Sequence, residues 1–120
     1  MEITFRQSEE LGIISVKGRI IRENQADLRK KIEEVLATGV KGVTLDFSSV
    51  DYIDSAGLGC CASAHKLLRD RWSAGLAMFG ASQNIQKMWK LIRLDLVIPI
   101  FKLESEAIAW LKTQNPAKPS

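Results

Sequence analysis

Val43-Thr44-Leu45-Asp46-Phe47-Ser48-Ser49-Val50-Asp51-Tyr52-Ile53-Asp54-Ser55-Ala56-Gly57-Leu58-Gly59 is the stretch on which the fold of this 120-residue chain turns. Val43, Leu45 and Phe47 alternate as in a buried strand. Asp51 interrupts the apolar run, so a short acidic turn is expected after Phe47. A helix then opens at Asp54-Ser55, whose side-chain oxygens suit an N-cap. A serine at that point lies near free backbone N–H groups and the positive end of the helix dipole. A phosphate placed there changes the local charge by about −1.5 to −2. The position suits a switch.

Working outward, Glu2 to Gln7 and Leu11 to Lys17 read as the strands of a hairpin joined by Ser8-Glu9-Glu10. Gly18 opens a connection to a helix with Leu28, Ile32, Val35 and Leu36 at helical spacing, stopped by Gly39. The helix from about Ser55 to Trp72 places Leu58, Cys61, Ala62, His65, Leu68 and Trp72 on one face. Leu76 to Phe79 is the next buried strand, and Ser82 is a candidate cap for a helix carrying Ile85, Met88, Trp89 and Ile92. Val97 to Phe101 reads as a last strand, kept at an edge by Pro99. Glu104-Ser105-Glu106 leads into a short helix with Ile108 and Leu111. This order predicts an α/β domain, a mixed sheet of four to five strands with about four packed helices, over residues 1–112. The segment 113–120 has two prolines and little to bury, and is expected to be a frayed tail.

Composition narrows the function. The chain is 46% hydrophobic and 26% charged, as in an ordinary globular domain with one core. No apolar run approaches ~18 residues, and the N-terminus alternates like a strand, so a cytoplasmic protein without a membrane span is expected. The net charge of +3 is mild. Lys66, Arg69 and Arg71 fall on one predicted helix and Lys87, Lys90 and Arg93 on another. Without a denser basic face and interleaved aromatics these read as solvated helix faces, and no nucleic-acid partner is expected. Cys60 and Cys61 are adjacent, unsuited to a disulfide with each other or to a four-ligand metal site, and read as small buried hydrophobes.

Catalysis finds no constellation. A nucleophile elbow around Ser55 needs glycine two residues earlier, where Ile53 stands. The only histidine, His65, lies ten residues along the same predicted helix, roughly 15 Å up its axis, beyond reach as a base. Asp46 near a strand end invites comparison with a phospho-accepting aspartate. The partners of such a site are missing, because Lys17-Gly18-Arg19 follows one strand and Gly80-Ala81-Ser82 another. Asp46, Asp51 and Asp54 read as turn and capping residues. No Gly-rich phosphate loop with a lysine is present, so no cofactor is expected and the chain is not expected to be an enzyme. For Ser55 the spacing leaves two readings open, a helix cap and a phosphorylation site. Gly57 and Gly59 weaken the first helical turn by roughly 1 kcal/mol each relative to alanine. Their bare backbone suits either the close approach of a partner protein or tight packing on the sheet.

Leu45-Asp46-Phe47-Ser48-Ser49-Val50 and Ile53-Asp54-Ser55-Ala56-Gly57-Leu58-Gly59 together resemble the signature of STAS domains, in particular the bacterial anti-sigma-factor antagonists. The resemblance reaches more weakly from Gly18-Arg19 to Ile108-Ala109-Trp110-Leu111. Ala56 departs from it, since many members carry a second small hydroxyl residue there. So does Ile20-Ile21-Arg22-Glu23, where members often have an aspartate soon after the glycine. The resemblance implies a STAS fold and a phosphorylated serine at Ser55. It implies a kinase-fold anti-sigma factor as partner, bringing its own ATP and Mg²⁺, and a serine phosphatase that resets the switch.

The expected partner surface comprises Asp54, Ser55, Ala56, Gly57 and Gly59 at the helix start, with the connection Gly18, Arg19, Ile20 and Ile21. Two isoleucines after a strand end suit an interface, while tucking one under the following helix is the alternative. The protein is expected to act as a monomer. The other functional reading is a constitutive STAS scaffold or transporter-associated subunit in which Ser55 is only a helix cap.

Overall fold

Glu2–Ser8 (β1) and Leu11–Ile20 (β2) form an antiparallel hairpin, and from β2 onward every sheet neighbour is parallel. The computed structural model describes residues 1–114. The chain continues through Gln25–Ala37 (α1), Gly42–Ile53 (β3), Ser55–Leu67 (α2), Gly75–Phe79 (β4), Gln83–Leu91 (α3), Ile100–Phe101 (β5) and Glu104–Thr113 (α4). The strands lie in the order β1-β2-β3-β4-β5. The expected mixed sheet with four packed helices is therefore found. Thr113 closes α4, and the rest of the expected tail from residue 115 lies outside the described residues.

Alternation along the strands divides the sheet into two unequal faces. Ile14, Val16, Val43, Leu45, Phe47, Leu76 and Met78 pack with α1, α2 and α3 in the main core. Leu11, Ile13, Ala77 and Phe79 point the other way and meet Ala107 and Leu111 of α4. The largest anchor is Trp89 of α3, fully buried, with its indole edge-on to Phe47 at 5.9 Å. Such aromatic pairs contribute about 0.5–1.5 kcal/mol beyond burial alone. The Trp89 indole N–H donates to the Ile98 carbonyl at 3.0 Å, so the buried ring leaves no unpaired donor.

The acidic turn expected after Phe47 does not form. β3 runs on to Ile53, twelve residues in all, and β2 runs on through Gly18, Arg19 and Ile20. The two strands stay paired because β3 takes up extra residues in bulges. From Ser15 to Lys17 in β2 the partner register moves from Asp46 to Ser49, and from Gly18 to Arg19 it moves from Val50 to Tyr52. Each slip breaks the two-residue alternation, so the buried Val50 and Ile53 do not read as a continuing strand in sequence. Gly18 sits at this irregular stretch with φ of +100°, a backbone that glycine alone takes without cost.

Three smaller differences follow from local causes. Val97 to Phe101 shrinks to the two-residue β5, because Pro99 has no N–H for the ladder; its carbonyl still accepts the Met78 N–H at 3.0 Å. Residues Leu94–Leu96 form a 3-10 turn instead. Ile92, expected within α3, lies beyond the helix end and is exposed. On α2, Ala62 is exposed and Ala64 takes the core position, while Cys60 and Cys61 are buried free thiols as expected.

Candidate functional site

β2 and β3 end side by side, with Ile20 paired to Ile53, and both then turn into the start of a helix. In parallel sheets the carboxyl ends of strands are where loops gather functional groups. Here the gathering residue is Asp54. Its backbone is extended and it is the N-cap of α2: Oδ1 accepts the Gly57 N–H at 2.9 Å. Its Oδ2 accepts the Arg22 N–H at 3.0 Å, and its own N–H donates to the Ile20 carbonyl at 3.1 Å. One residue thus pins the helix start to the end of β2 and to the segment beyond it.

Asn24 holds that segment from the other side. Its Oδ1 accepts the Ile21 N–H at 2.9 Å and its Nδ2 donates to the Arg19 carbonyl at 2.9 Å. The Arg19 guanidinium lies 5.1 Å from the ring centre of the exposed Tyr52. Arg22, Asn24 and Tyr52 were not among the expected site residues. Asn24 had a legible signal, an Asx side chain shortly before a helix, but its partners follow from the chain's return and not from spacing.

Electrostatics follow from these hydrogen bonds. The Gly57 N–H, above all, holds the Asp54 carboxyl below its ordinary value of 3.8. Desolvation, the next largest effect, opposes this, and the Arg22 and Ala56 N–H groups and the Arg22 charge each add a smaller lowering. At neutral pH the start of α2 therefore carries a fixed carboxylate beside Ser55.

Ser55 is the first residue of α2 and is exposed, and among the described residues its hydroxyl makes no hydrogen bond. The reading of Ser55 as the helix cap is corrected: Asp54, one residue earlier and with the extended backbone a cap needs, does that job. The serine oxygen is left free.

The expected contact set is split by burial. Ser55 and Gly59 are exposed, Asp54 and Ala56 half-buried, and Arg19 exposed. Gly57 is buried, and a Cβ there would stand 2.7 Å from Ile53 Cγ1 and 2.8 Å from the Ile20 carbonyl oxygen. It is a packing residue and presents nothing outward. A Cβ on Gly59 would meet nothing within 4 Å, so that glycine faces open space. Gly18, Arg19 and Ile20 belong to β2 and not to a loop, and Ile20 is fully buried. Of the two isoleucines, only Ile21 remains half-exposed at this end of the sheet. Among the described residues no cluster of three or more His, Cys, Asp or Glu side chains could hold a metal ion. No helix there is long and apolar enough to cross a membrane.

Comparison with known proteins places this arrangement. The family model of the STAS domain matches residues 2–107. An anti-sigma-B factor antagonist of Listeria monocytogenes is 29% identical over 106 residues, 88% of this chain and 91% of its own. Among solved structures, an anti-sigma factor antagonist from Mycobacterium paratuberculosis superposes with a TM-score of 0.82 at 20% identity, covering 92% of this chain and 93% of that one. The Bacillus cell fate determinant SpoIIAA in its phosphorylated form gives 0.68 at 18% identity, covering 91% and 98%. With its helix-flanked mixed sheet and a family match across nearly its whole length, the chain belongs to the STAS domain family.

Proposed function

We propose that this protein is an anti-sigma-factor antagonist that works by partner switching. Unphosphorylated, it binds a kinase-fold anti-sigma factor in the cytoplasm and so frees a sigma factor. Phosphorylated on Ser55 it lets go, and a serine phosphatase restores it. It acts as a monomeric binding module, and ATP and Mg²⁺ come with the kinase.

The observation that carries this reading is the Ser55 hydroxyl, exposed and without a hydrogen bond among the described residues, Asp54 having taken the cap. A kinase can withdraw that oxygen from nothing, so modification costs the fold no bond. The name of the Listeria relative and the phosphorylated state of the Bacillus structure support the same reading. The contact surface is Ser55, Ala56 and the open Gly59, with Arg19 and Ile21 beside them.

The consequence of phosphorylation is electrostatic. About −1.5 to −2 charges arrive beside an Asp54 already held as a carboxylate. The helix dipole favours that charge by about 0.3–1 kcal/mol, which keeps α2 intact. Burying the same charge under a partner strips its water and is far more costly. Incubation with ATP and the kinase-fold anti-sigma factors of the source genome, followed by mass spectrometry, tests the assignment. Phosphate on Ser55 is expected; phosphate on Ser48, Ser49 or Ser63 with Ser55 untouched overturns it.

A further inference from the structure

At the end of the sheet away from Ser55, where β3 and β4 begin with Gly42 paired to Gly75, three local irregularities meet around one cleft. The helical path of α2 finishes in a π turn over Leu68–Trp72. Such turns occur mostly singly and often at functional sites. Ser73 follows in the left-handed region, at φ 51° and ψ 39°, unusual for a residue with a Cβ. One turn before Leu68, both ring nitrogens of His65 are buried and have no hydrogen-bond partner among the described residues. Buried polar atoms in native proteins are seldom left this way. His65 and Ser73 both line a cleft of about 390 Å³, together with Arg69, Leu96, Val97 and Trp110. That volume is in the range of small-molecule sites.

We propose that this cleft binds a small organic monoanion with a flat apolar body, such as an aromatic carboxylate. Among the described residues, Arg69 is the one formally charged residue of its wall. Its Nε lies 3.3 Å from Asp70, which leaves the outer guanidinium N–H groups for a carboxylate. Leu96 and Val97 are 72% and 40% exposed, an apolar rim beside the Trp110 indole that the body of such a ligand covers. His65 is held neutral, first by burial and then by the Arg69 charge, against the smaller pull of Asp70. An uncharged imidazole leaves Arg69 as the cation that an anionic occupant meets. The site is independent of the Ser55 switch, though both ends belong to one helix.

The test is an NMR titration of the protein with 1-naphthoate, with the neutral 1-naphthalenemethanol as charge control. Saturable shifts at Ser73, Gly75 and the Trp110 indole are expected, with a Kd of about 1 mM or tighter. Arg69→Gln replaces an exposed side chain and keeps the fold. It should raise the Kd for 1-naphthoate about tenfold or more while leaving that for the alcohol unchanged. Leu96→Ala should weaken both probes. Absence of saturable shifts, shifts centred elsewhere, or an affinity for 1-naphthoate indifferent to Arg69→Gln overturns the proposal.

Discussion

The Asp54 carboxylate and the Arg22 backbone N–H meet at 3.0 Å, 32 residues apart in sequence. Through this contact the start of α2 and the segment leaving β2 move as one piece, because the other oxygen of the same carboxylate caps the helix. A protein that docks on Ser55 therefore meets a surface already assembled, and little ordering of backbone is left to oppose binding.

Asp54→Ala removes both hydrogen bonds at once. Its thermal midpoint should fall by about 3–5 °C, with α2 loosened at its first turn. Asp54→Asn, which keeps an acceptor at Oδ1, should fall less. The sign of the pH effect follows from the lowered carboxyl pKa. Unfolding returns that pKa to its ordinary value of 3.8, so the contribution of Asp54 is fully present above it and is lost as pH drops through the folded value. Melts from pH 7 to pH 2 should show a shallower acid limb for Asp54→Asn than for wild type; parallel limbs contradict the assignment.

Ser55→Ala should change folding stability by less than about 0.5 kcal/mol, since the exposed hydroxyl has no partner among the described residues to lose. It should bind the anti-sigma factor and resist phosphorylation. Ser55→Asp should keep its circular dichroism and melting curve while affinity falls at least about tenfold. Loss of binding that appears only together with unfolding would count against a charge mechanism.

The two glycines of α2 should respond in opposite directions. Gly57→Ala drives a methyl against the Ile20 carbonyl and Ile53, and overpacking of this kind costs about 1–3 kcal/mol. Gly59→Ala enters open space in a helix and should stabilise by up to about 1 kcal/mol. Gly59→Arg should stay folded and lose its partner by steric block. Denaturant titration separates the first pair, and a binding assay decides the third.

Ile20→Asp and Ile21→Asp distinguish core from interface. Ile20 is fully buried, and a carboxylate there loses its hydration, so that variant should fail to fold. Ile21 is half-exposed, and its aspartate variant should remain folded with weakened partner binding. If Ile21→Asp folds and binds as tightly as wild type, the contact surface does not include this segment.

Much of this was legible without coordinates because its causes are local. The spacing of Leu28, Ile32, Val35 and Leu36 places α1. The apolar run Leu76 to Phe79 places β4. Ser82 caps α3 through its Oγ, which accepts the Ile85 N–H at 3.3 Å. The run from Asp54 to Gly59 marked the helix start and the serine beside it. Each signal lies within a few residues of its effect.

What remained hidden depends on residues far apart in sequence. The continuation of β3 through Val50 and Ile53 exists because β2 runs alongside it, and bulges erase the alternation that would have announced it. Asp54 and Ser55 offer similar capping chemistry, and backbone direction, fixed by the Ile20 carbonyl and the Arg22 N–H, gave the cap to Asp54. Gly57 and Gly59 look alike in sequence, yet one is pressed against Ile20 and the other faces open space. Local sequence is enough to place the helices, the cores of the central strands and a serine at the start of α2. Tertiary structure alone decided which groups around that serine are free, because burial and hydrogen-bond pairing are set by whatever the fold brings alongside.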